Sequence, residues 1–274
     1  MQIKGKIALV LGAVKGIGKG IGLGLAKKGA KLILTRHDWE DSFETMEKDF
    51  LDSKAEHTII TADLRNIKEI EMLALHIKKK YGRLDILINN IERGGWPTVH
   101  GEYIEEQWDL EIETTLKAKQ WVFTSVFPLL KKSRDAVVIN ISSIAGIVGR
   151  CGPAALVFND GYAAANRAIS SLTETWARLG APNIRVNEIM LGIFDTRHAQ
   201  NTRGWKEVLT KKEKQSLINH TLMKRTGTMD DVVKACYFII KDATYMTGSV
   251  LRLDGGYVLA GEKIPPMPKG IGLT

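Results

Sequence analysis

Seven short aliphatic runs, separated by longer amphipathic stretches, constrain this chain more than any other feature of its sequence. They read KIALVL, KLILT, HTIIT, LDILIN, AVVINIS, IRVNEIM and SVLRLD. Most are continuous rather than alternating, the pattern of strands buried on both faces. Such strands lie in parallel sheets covered by helices on each side. Helical patterns over 16–28, 39–52, 67–81, 105–132, 160–179 and 228–240 supply that cover.

Parallel strands joined by helices have little topological freedom, because the crossovers share one hand. The expected fold class is therefore α/β: a single Rossmann-type doubly wound parallel sheet of about seven strands with helices on both faces. No Pro-, Gly- or Ser-rich linker and no low-complexity tract interrupts the 274 residues, so one domain spanning 1–274 is expected. Two segments fall outside the alternation. Residues 195–225 are polar with scattered apolar anchors and follow a strand's C-terminal end, where such sheets bind ligands, so they are expected to form a mobile lid. The Pro- and Gly-rich tail 259–274 is expected to pack on a surface or a neighbouring subunit.

The net charge of +8 invites a nucleic-acid reading. Its lysines, however, are scattered in small groups (HIKKKYG, LLKKSRD, LTKKEKQ), with no basic arm, no zinc-finger spacing and no interleaved aromatics. A solvated surface is the better account, and the charge also suits a dinucleotide. No apolar run reaches the length of a membrane span, and MQIKGKIALVLG lacks a small-residue cleavage site, so a cytoplasmic location is expected. Cys151 and Cys236 are too few for a disulfide framework and are expected to be reduced and structural. The six histidines show no metal-ligand spacing, so no metal is expected. Trp108, Trp121 and Trp176 fit helix packing, while Trp96 could touch substrate.

The stretch ALVLGAVKGIGKGIG places Gly12, Gly16 and Gly18 between the first strand and the first helix. Glycine permits a sharp turn and close approach of backbone to a pyrophosphate, and the following helix N-terminus offers free N–H groups and a positive dipole end. Directly after an N-terminal strand, this pattern points to dinucleotide binding. At the end of the second strand, an acidic residue would hydrogen-bond the ribose 2′-hydroxyl and repel a 2′-phosphate. The chain has Arg36 there, followed by His37, with Lys15 expected to face them. These cations favour NADP, with NAD the alternative.

With these features in place, the chain resembles the short-chain dehydrogenase/reductase family of the classical type, over about residues 5–258. Gly12-x-x-x-Gly16-x-Gly18 resembles that family's glycine motif. Asp63 in TADLR resembles its adenine-contacting acid, and Asn89-Asn90 the sequence after its fourth strand. VVINISSIAG resembles its catalytic-serine strand, with Ser143 the better match and Ser142 beside it, and Tyr162 resembles its catalytic tyrosine. IRVNEIMLGIFDT resembles its nicotinamide segment, and YMTGSVLRLDGGY its final strand. The resemblance implies a hydride exchange between nicotinamide and a carbonyl or alcohol, with Ser143 holding the substrate oxygen and Tyr162 exchanging the proton. It also implies cofactor contacts from Gly12, Lys15, Gly16, Ile17 and Gly18. Further along the chain they come from Arg36, His37, Asp63, Leu64, Asn90, Tyr162, Asn166, Gly192 and Thr196. A homotetramer or homodimer, built on helices around 105–132 and 160–179, is implied in the same way.

Several positions depart from the family pattern. Asn166 stands where a lysine grips the nicotinamide ribose and lowers the phenol pKa. Thr115 occupies the helix-borne active-site asparagine position. Leu11 replaces the usual Thr, Ile91-Glu92 the usual Ala-Gly, and Leu191 the usual Pro before Gly192. Ser143 and Tyr162 are also several residues further apart than usual. Asn166 shares a helix face with Tyr162 and can bond a ribose hydroxyl, but it carries no charge. With a phenol pKa of about 10, few phenolates exist at neutral pH, so any activity is expected to favour carbonyl reduction. The alternatives are a dinucleotide-binding or regulatory subunit without catalysis and, less favoured, a nucleic-acid binder.

Overall fold

The computed structural model describes residues 1–91, 105–196 and 209–261. Its strands are β1 (Ile7–Val10), β2 (Lys31–Arg36), β3 (His57–Thr61), β4 (Ile86–Asn89), β5 (Ala136–Ser143), β6 (Ile184–Leu191) and β7 (Val250–Leu253). Among the described residues they form one parallel sheet in the order β3-β2-β1-β4-β5-β6-β7. Each aliphatic run of the sequence contributes one strand, and the α/β doubly wound class is the one observed. β1, β4, β5 and β6 are buried throughout, as continuous aliphatic runs require. The edges depart from that expectation: β3 is largely half-buried and β7 alternates between exposed and half-buried. An edge strand has a neighbour on one side only.

The helices are α1 (Gly16–Lys27), α2 (Phe43–Asp52), α3 (Ile67–Tyr81), α4 (Glu105–Glu111), α5 (Ala118–Leu130), α6 (Ala145–Val148), α7 (Asp160–Gly180), α8 (Lys211–His220) and α9 (Met229–Tyr237). One face of the sheet buries Ile21 and Leu25 of α1, Phe50 of α2 and Val232 of α9. The other buries Ile77 of α3, Val122 and Phe123 of α5 and Trp176 of α7. Trp176 stacks on Phe123 with ring centroids 4.1 Å apart and planes 6° from parallel. Its expected packing role holds. Trp108 and Trp121 differ, remaining 41% and 38% exposed on α4 and α5.

The helical stretch expected over 105–132 is interrupted by a π-helical segment, Ile112–Lys117. The one expected over 228–240 likewise ends in a π segment, Phe238–Asp242. There buried Arg185 of β6 donates to the carbonyls of Ile239 and Ala243 at 2.9 and 2.8 Å, satisfying acceptors left over at a helix end. The polar segment 195–225 contains α8, which the hydrophobic pattern did not announce. A capping box starts it, with Glu213 N donating to Thr210 Oγ1 at 3.2 Å and Thr210 N to Glu213 Oε2 at 2.7 Å. The rest of the expected lid from 197 to 208, the tail from 262, Glu92 and Trp96 lie outside the described residues.

Cys236 is buried, and burial pushes its thiol up to about 12. Cys151 is exposed, so a structural role fits only Cys236. Among the described residues no helix is long and apolar enough to cross a membrane.

Candidate active site

The chain reverses its direction of travel across the sheet between β1 and β4, and sheets of this kind bind ligands at the strand C-termini there. The turn leaving β1 has φ +63° at Gly12 and +58° at Gly16, conformations that side chains other than glycine's rarely adopt. Gly12 N donates to Thr35 Oγ1, and Ala13 N to the Thr35 carbonyl, both at 3.0 Å, so the end of β2 holds this turn. Asn90 clamps it from β4, donating from Nδ2 to the Leu11 carbonyl at 3.3 Å. A β-carbon at Gly12 would come within 2.5 Å of Asn90 O, and one at Gly18 within 2.2 Å of Gly12 O. Close backbone packing therefore demands both glycines. Gly16 serves its φ instead, and a β-carbon there would meet only Thr196, its O at 3.5 Å and its Cβ at 3.7 Å. Thr196, in the segment after β6, is thus brought against the turn. α1 begins with no capping side chain and no acidic residue in its first turn, so the helix end at Ile17 and Gly18 suits an anion.

At the expected adenosine end, the cations are arranged differently from the sequence reading. Arg36 lies 4.4 Å from the Phe43 ring centroid, donates from Nε to Thr61 Oγ1 at 3.0 Å and pairs with Glu47. Lys15 sets its ammonium 3.4 Å from the Trp39 ring centroid. The sequence reading overlooked Arg65, whose guanidinium donates to both carboxylate oxygens of Asp63 at 2.9 and 2.8 Å and lies 3.4 Å from His37 Nε2. Burial alone would raise the Asp63 carboxyl; the hydrogen bonds and charge of Arg65, together with His37, hold it below the usual carboxylate range. Leu64 is buried beside it.

On the other side of the crevice, adjacent serines of β5 have separate tasks. Ser142 donates to the carboxylate of Glu188 inside the sheet–helix layer. Ser143 Oγ accepts from Ala145 N at 3.1 Å, which leaves its proton to donate. Tyr162 is positioned by a helix cap: Asn159 precedes α7, and its Oδ1 accepts from the Tyr162 amide at 2.9 Å. Asn166, 1% exposed, turns its Nδ2 onto the Tyr162 carbonyl at 2.9 Å. A β-carbon at Gly146 would lie 2.8 Å from Arg167 N, so the segment after Ser143 packs directly on this turn of α7. The extra residues between Ser143 and Tyr162 form α6 and a 3-10 turn, Gly152–Leu156. With Phe158, Met190, Leu209 and Leu217 they wrap Tyr162 in a separate apolar cluster. Gly192 is required by packing, since a β-carbon would lie 2.6 Å from Asp254 Cα.

Thr115 falls inside the π segment that packs against α7. Its Oγ1 is buried with no hydrogen-bond partner. π-helical interruptions gather at functional sites, and a buried hydroxyl without a hydrogen-bond partner is one that a water or ligand atom could satisfy. The sequence reading also missed a buried polar layer beneath the site. Glu111, Thr115 and Lys119, each four residues from the next, are all at most 1% exposed. Glu111 accepts from Asn159 Nδ2, and Lys119 donates from Nζ to the Ile141 carbonyl at 2.9 Å. Their segment, EEQWDLEIETTLKAKQ, is largely polar, so nothing in the sequence marked these three residues as buried. Glu188 of β6 closes the layer, and burial pushes its carboxyl above the usual range despite Ser142, Ser170, Lys119 and Arg167.

Comparison with known proteins agrees with this geometry. The family model described as enoyl-(acyl carrier protein) reductase matches residues 12–258. The 3-oxoacyl-(acyl-carrier-protein) reductase of Thermotoga maritima is 31% identical over 264 residues, covering 94% of this chain and all of that one. A 1,6-dihydroxycyclohexa-2,4-diene-1-carboxylate dehydrogenase of Pseudomonas putida is 30% identical, covering 93% of each chain. A solved structure from Sinorhizobium meliloti, described as a short-chain alcohol dehydrogenase, superposes with a TM-score of 0.79 at 25% identity, covering 94% of this chain and 98% of that one. The glycine turn, the Asn90 clamp, the serine strand and the capped tyrosine helix therefore sit in the fold to which they belong: the chain is a member of the short-chain dehydrogenase/reductase family, of the classical type.

Proposed function

We propose that this member of an oxidoreductase family is an NADP(H)-dependent reductase of small carbonyl compounds, with NAD(H) the less favoured cofactor. One observation carries the reading: a glycine cradle whose Gly12 and Gly18 tolerate no β-carbon lies at the same edge of the parallel sheet as Ser143, on which the helix of the capped Tyr162 packs. The cradle fits a diphosphate, given its uncapped helix end and first turn free of carboxylates. Lys15, Arg36, His37 and Arg65 gather near these strand ends; although Arg36 pairs with Glu47 and Arg65 with Asp63, their basic character favours a 2′-phosphate over a bare ribose.

A bound nicotinamide cofactor supplies the hydride. The chain's residues do the rest. Ser143 holds the substrate oxygen with the proton that its Ala145 contact leaves available. Tyr162, as a neutral phenol, gives the proton that a reduced carbonyl requires. Asn166 leaves the Tyr162 carbonyl to hold a ribose hydroxyl, and Thr115 holds a water or substrate atom with its unpaired hydroxyl. Because Asn166 brings no charge, the reductive direction is favoured. The apolar cluster around Tyr162 provides the wall for the substrate. The whole chain acts as one domain, with residues around 195–225 as lid and the tail from 259 as a packing segment. It assembles as a homotetramer or homodimer through α4, α5 and α7, where Trp108 and Trp121 stay partly exposed.

The test is NADPH oxidation across a panel of aldehydes and ketones, with Tyr162→Phe as control. Turnover that the variant abolishes supports the reading. Tight NADPH binding without turnover on any carbonyl supports the second reading, a dinucleotide-binding or regulatory subunit, which the fold-back of Asn166 onto its own helix favours.

A further inference from the structure

We infer that the edge of the sheet opposite the glycine cradle binds the phosphate backbone of a nucleic acid, without regard to base sequence. The inference stands apart from the reductase reading, since it uses none of the residues at the cradle or around Tyr162.

The fold gathers what the sequence scatters. All seven strands are parallel, so the segments that lead into them lie along one edge, and the cradle and Ser143 lie at the other. Along the run β3-β2-β1-β4-β5 each strand is preceded by an exposed cation: Lys54, Lys27, Lys4, Lys79, and the pair Lys132 and Arg134. Neighbouring strands lie about 4.8 Å apart, so the row is about 20 Å long. The groups HIKKKYG and LLKKSRD, far apart in the chain, become neighbours where β4 pairs with β5.

The charge of this row is uncompensated. None of its six cations stands in an ion pair among the described residues, whereas most carboxylates of the edge are occupied. Glu56 pairs with Lys31 at 2.7 Å, Asp85 with Arg83 at 3.2 Å, and Asp135 lies 3.9 Å from the N-terminal amine. Asp52, at the end of α2, is the exception.

The competing account is that these cations only complement helix C-termini, which meet the same edge. One cation per helix would serve that purpose. α3 ends in Lys78, Lys79 and Lys80, and Lys4 stands at the end of no helix. Bilayers and protein partners fit the row less well, because both are held through apolar or aromatic anchors. Among the exposed large apolar residues only Leu51 belongs to the row. The preponderance of lysine suits phosphate oxygens met as point charges, not the bidentate geometry that reads bases.

The experiment uses the full chain and a fluorescent single-stranded RNA of about 20 nucleotides, followed by anisotropy. Saturable micromolar binding is expected at about 50 mM salt, weakening at least tenfold by about 200 mM and changing little with base sequence. Lys4→Glu/Lys79→Glu/Lys132→Glu should weaken it at least tenfold. Lys48→Glu/Lys68→Glu/Lys234→Glu, which lowers the net charge equally at exposed sites off the row, should weaken it less than about threefold. Both variants should bind NADPH like the parent, and saturating NADPH should leave the RNA bound. If the first variant does not fold, glutamine at the same three positions replaces it, with a loss of at least about threefold. Absence of binding at about 50 mM salt, equal weakening in both variants, or displacement of the RNA by NADPH overturns the inference. Tighter binding to vesicles of phosphatidylserine and phosphatidylcholine than to RNA would assign the row to a membrane and overturn it as well.

Discussion

The side-chain amide of Asn166 donates to the main-chain oxygen of Tyr162 at 2.9 Å, so the residue one turn beyond the phenol is folded onto its own helix. A lysine there would place an ammonium beside the phenol. Asn166→Lys is expected to raise alcohol-oxidation turnover near neutral pH at least tenfold, with a smaller effect on reduction. Initial rates in both directions between pH 6 and 10 (an order-of-magnitude window below and around a tyrosine pKa of about 10) check this. No gain in the oxidative direction would contradict it.

Gly18 and Gly16 should respond differently to alanine. The Gly18 methyl would collide with Gly12 O and lie 2.6 Å from Asn90 Nδ2, so the whole cradle must shift. Gly18→Ala is expected to weaken NADPH binding at least tenfold and to destabilise the fold by about 1–3 kcal/mol. At Gly16 there is space, and the cost of about 1 kcal/mol comes from φ +58° alone. Calorimetric titration and thermal unfolding of both variants measure the contrast.

Asp85 links folding to pH. Its carboxylate accepts from Ile7 N at 2.9 Å, from Ser133 Oγ at 2.7 Å and from Arg83 Nε at 3.2 Å, tying the start of β1 to the approach to β4. Burial alone would raise this carboxyl, but the bonds from Ile7, Ser133 and Arg83 outweigh it and hold it below the ordinary range. A depressed folded value means that the stabilisation is fully present above the unfolded pKa of about 3.9 and is lost as pH falls through the folded value. Asp85→Asn should therefore cost about 1–3 kcal/mol at pH 7. In urea titrations the gap to the parent should narrow below about pH 4. A gap independent of pH would refute the linkage.

Trp121 and Trp108 stay partly exposed on one helical stretch. Indoles left this way are frequent anchors of protein interfaces. Light scattering of the parent should give a tetramer or dimer, and Trp121→Glu should shift it to a smaller species without loss of helicity. A monomeric parent would remove the assembly from the account.

The fold was legible because strand burial writes itself into sequence: each aliphatic run is a strand, and only the exposed edges β3 and β7 depart from double-sided burial. The cradle glycines were legible for the same reason, since no other residue fits at Gly12 or Gly18. What the sequence concealed depends on contacts between distant segments. Arg36 looked available for a phosphate, yet it pairs with Glu47 of α2, while Arg65, unremarked in TADLR, holds Asp63. Lys119 drew no notice in the sequence, because single-residue chemistry does not reveal which face of a helix meets the sheet. The helix α8 was hidden by its composition, since only Leu217 of its ten residues is buried and its start depends on a cap.

The most direct test of the account is calorimetric titration of the folded chain with NADPH and, separately, NADH. The cradle predicts saturable one-to-one binding, tighter for NADPH, that Gly18→Ala weakens at least tenfold. Absence of heat with both cofactors would contradict it.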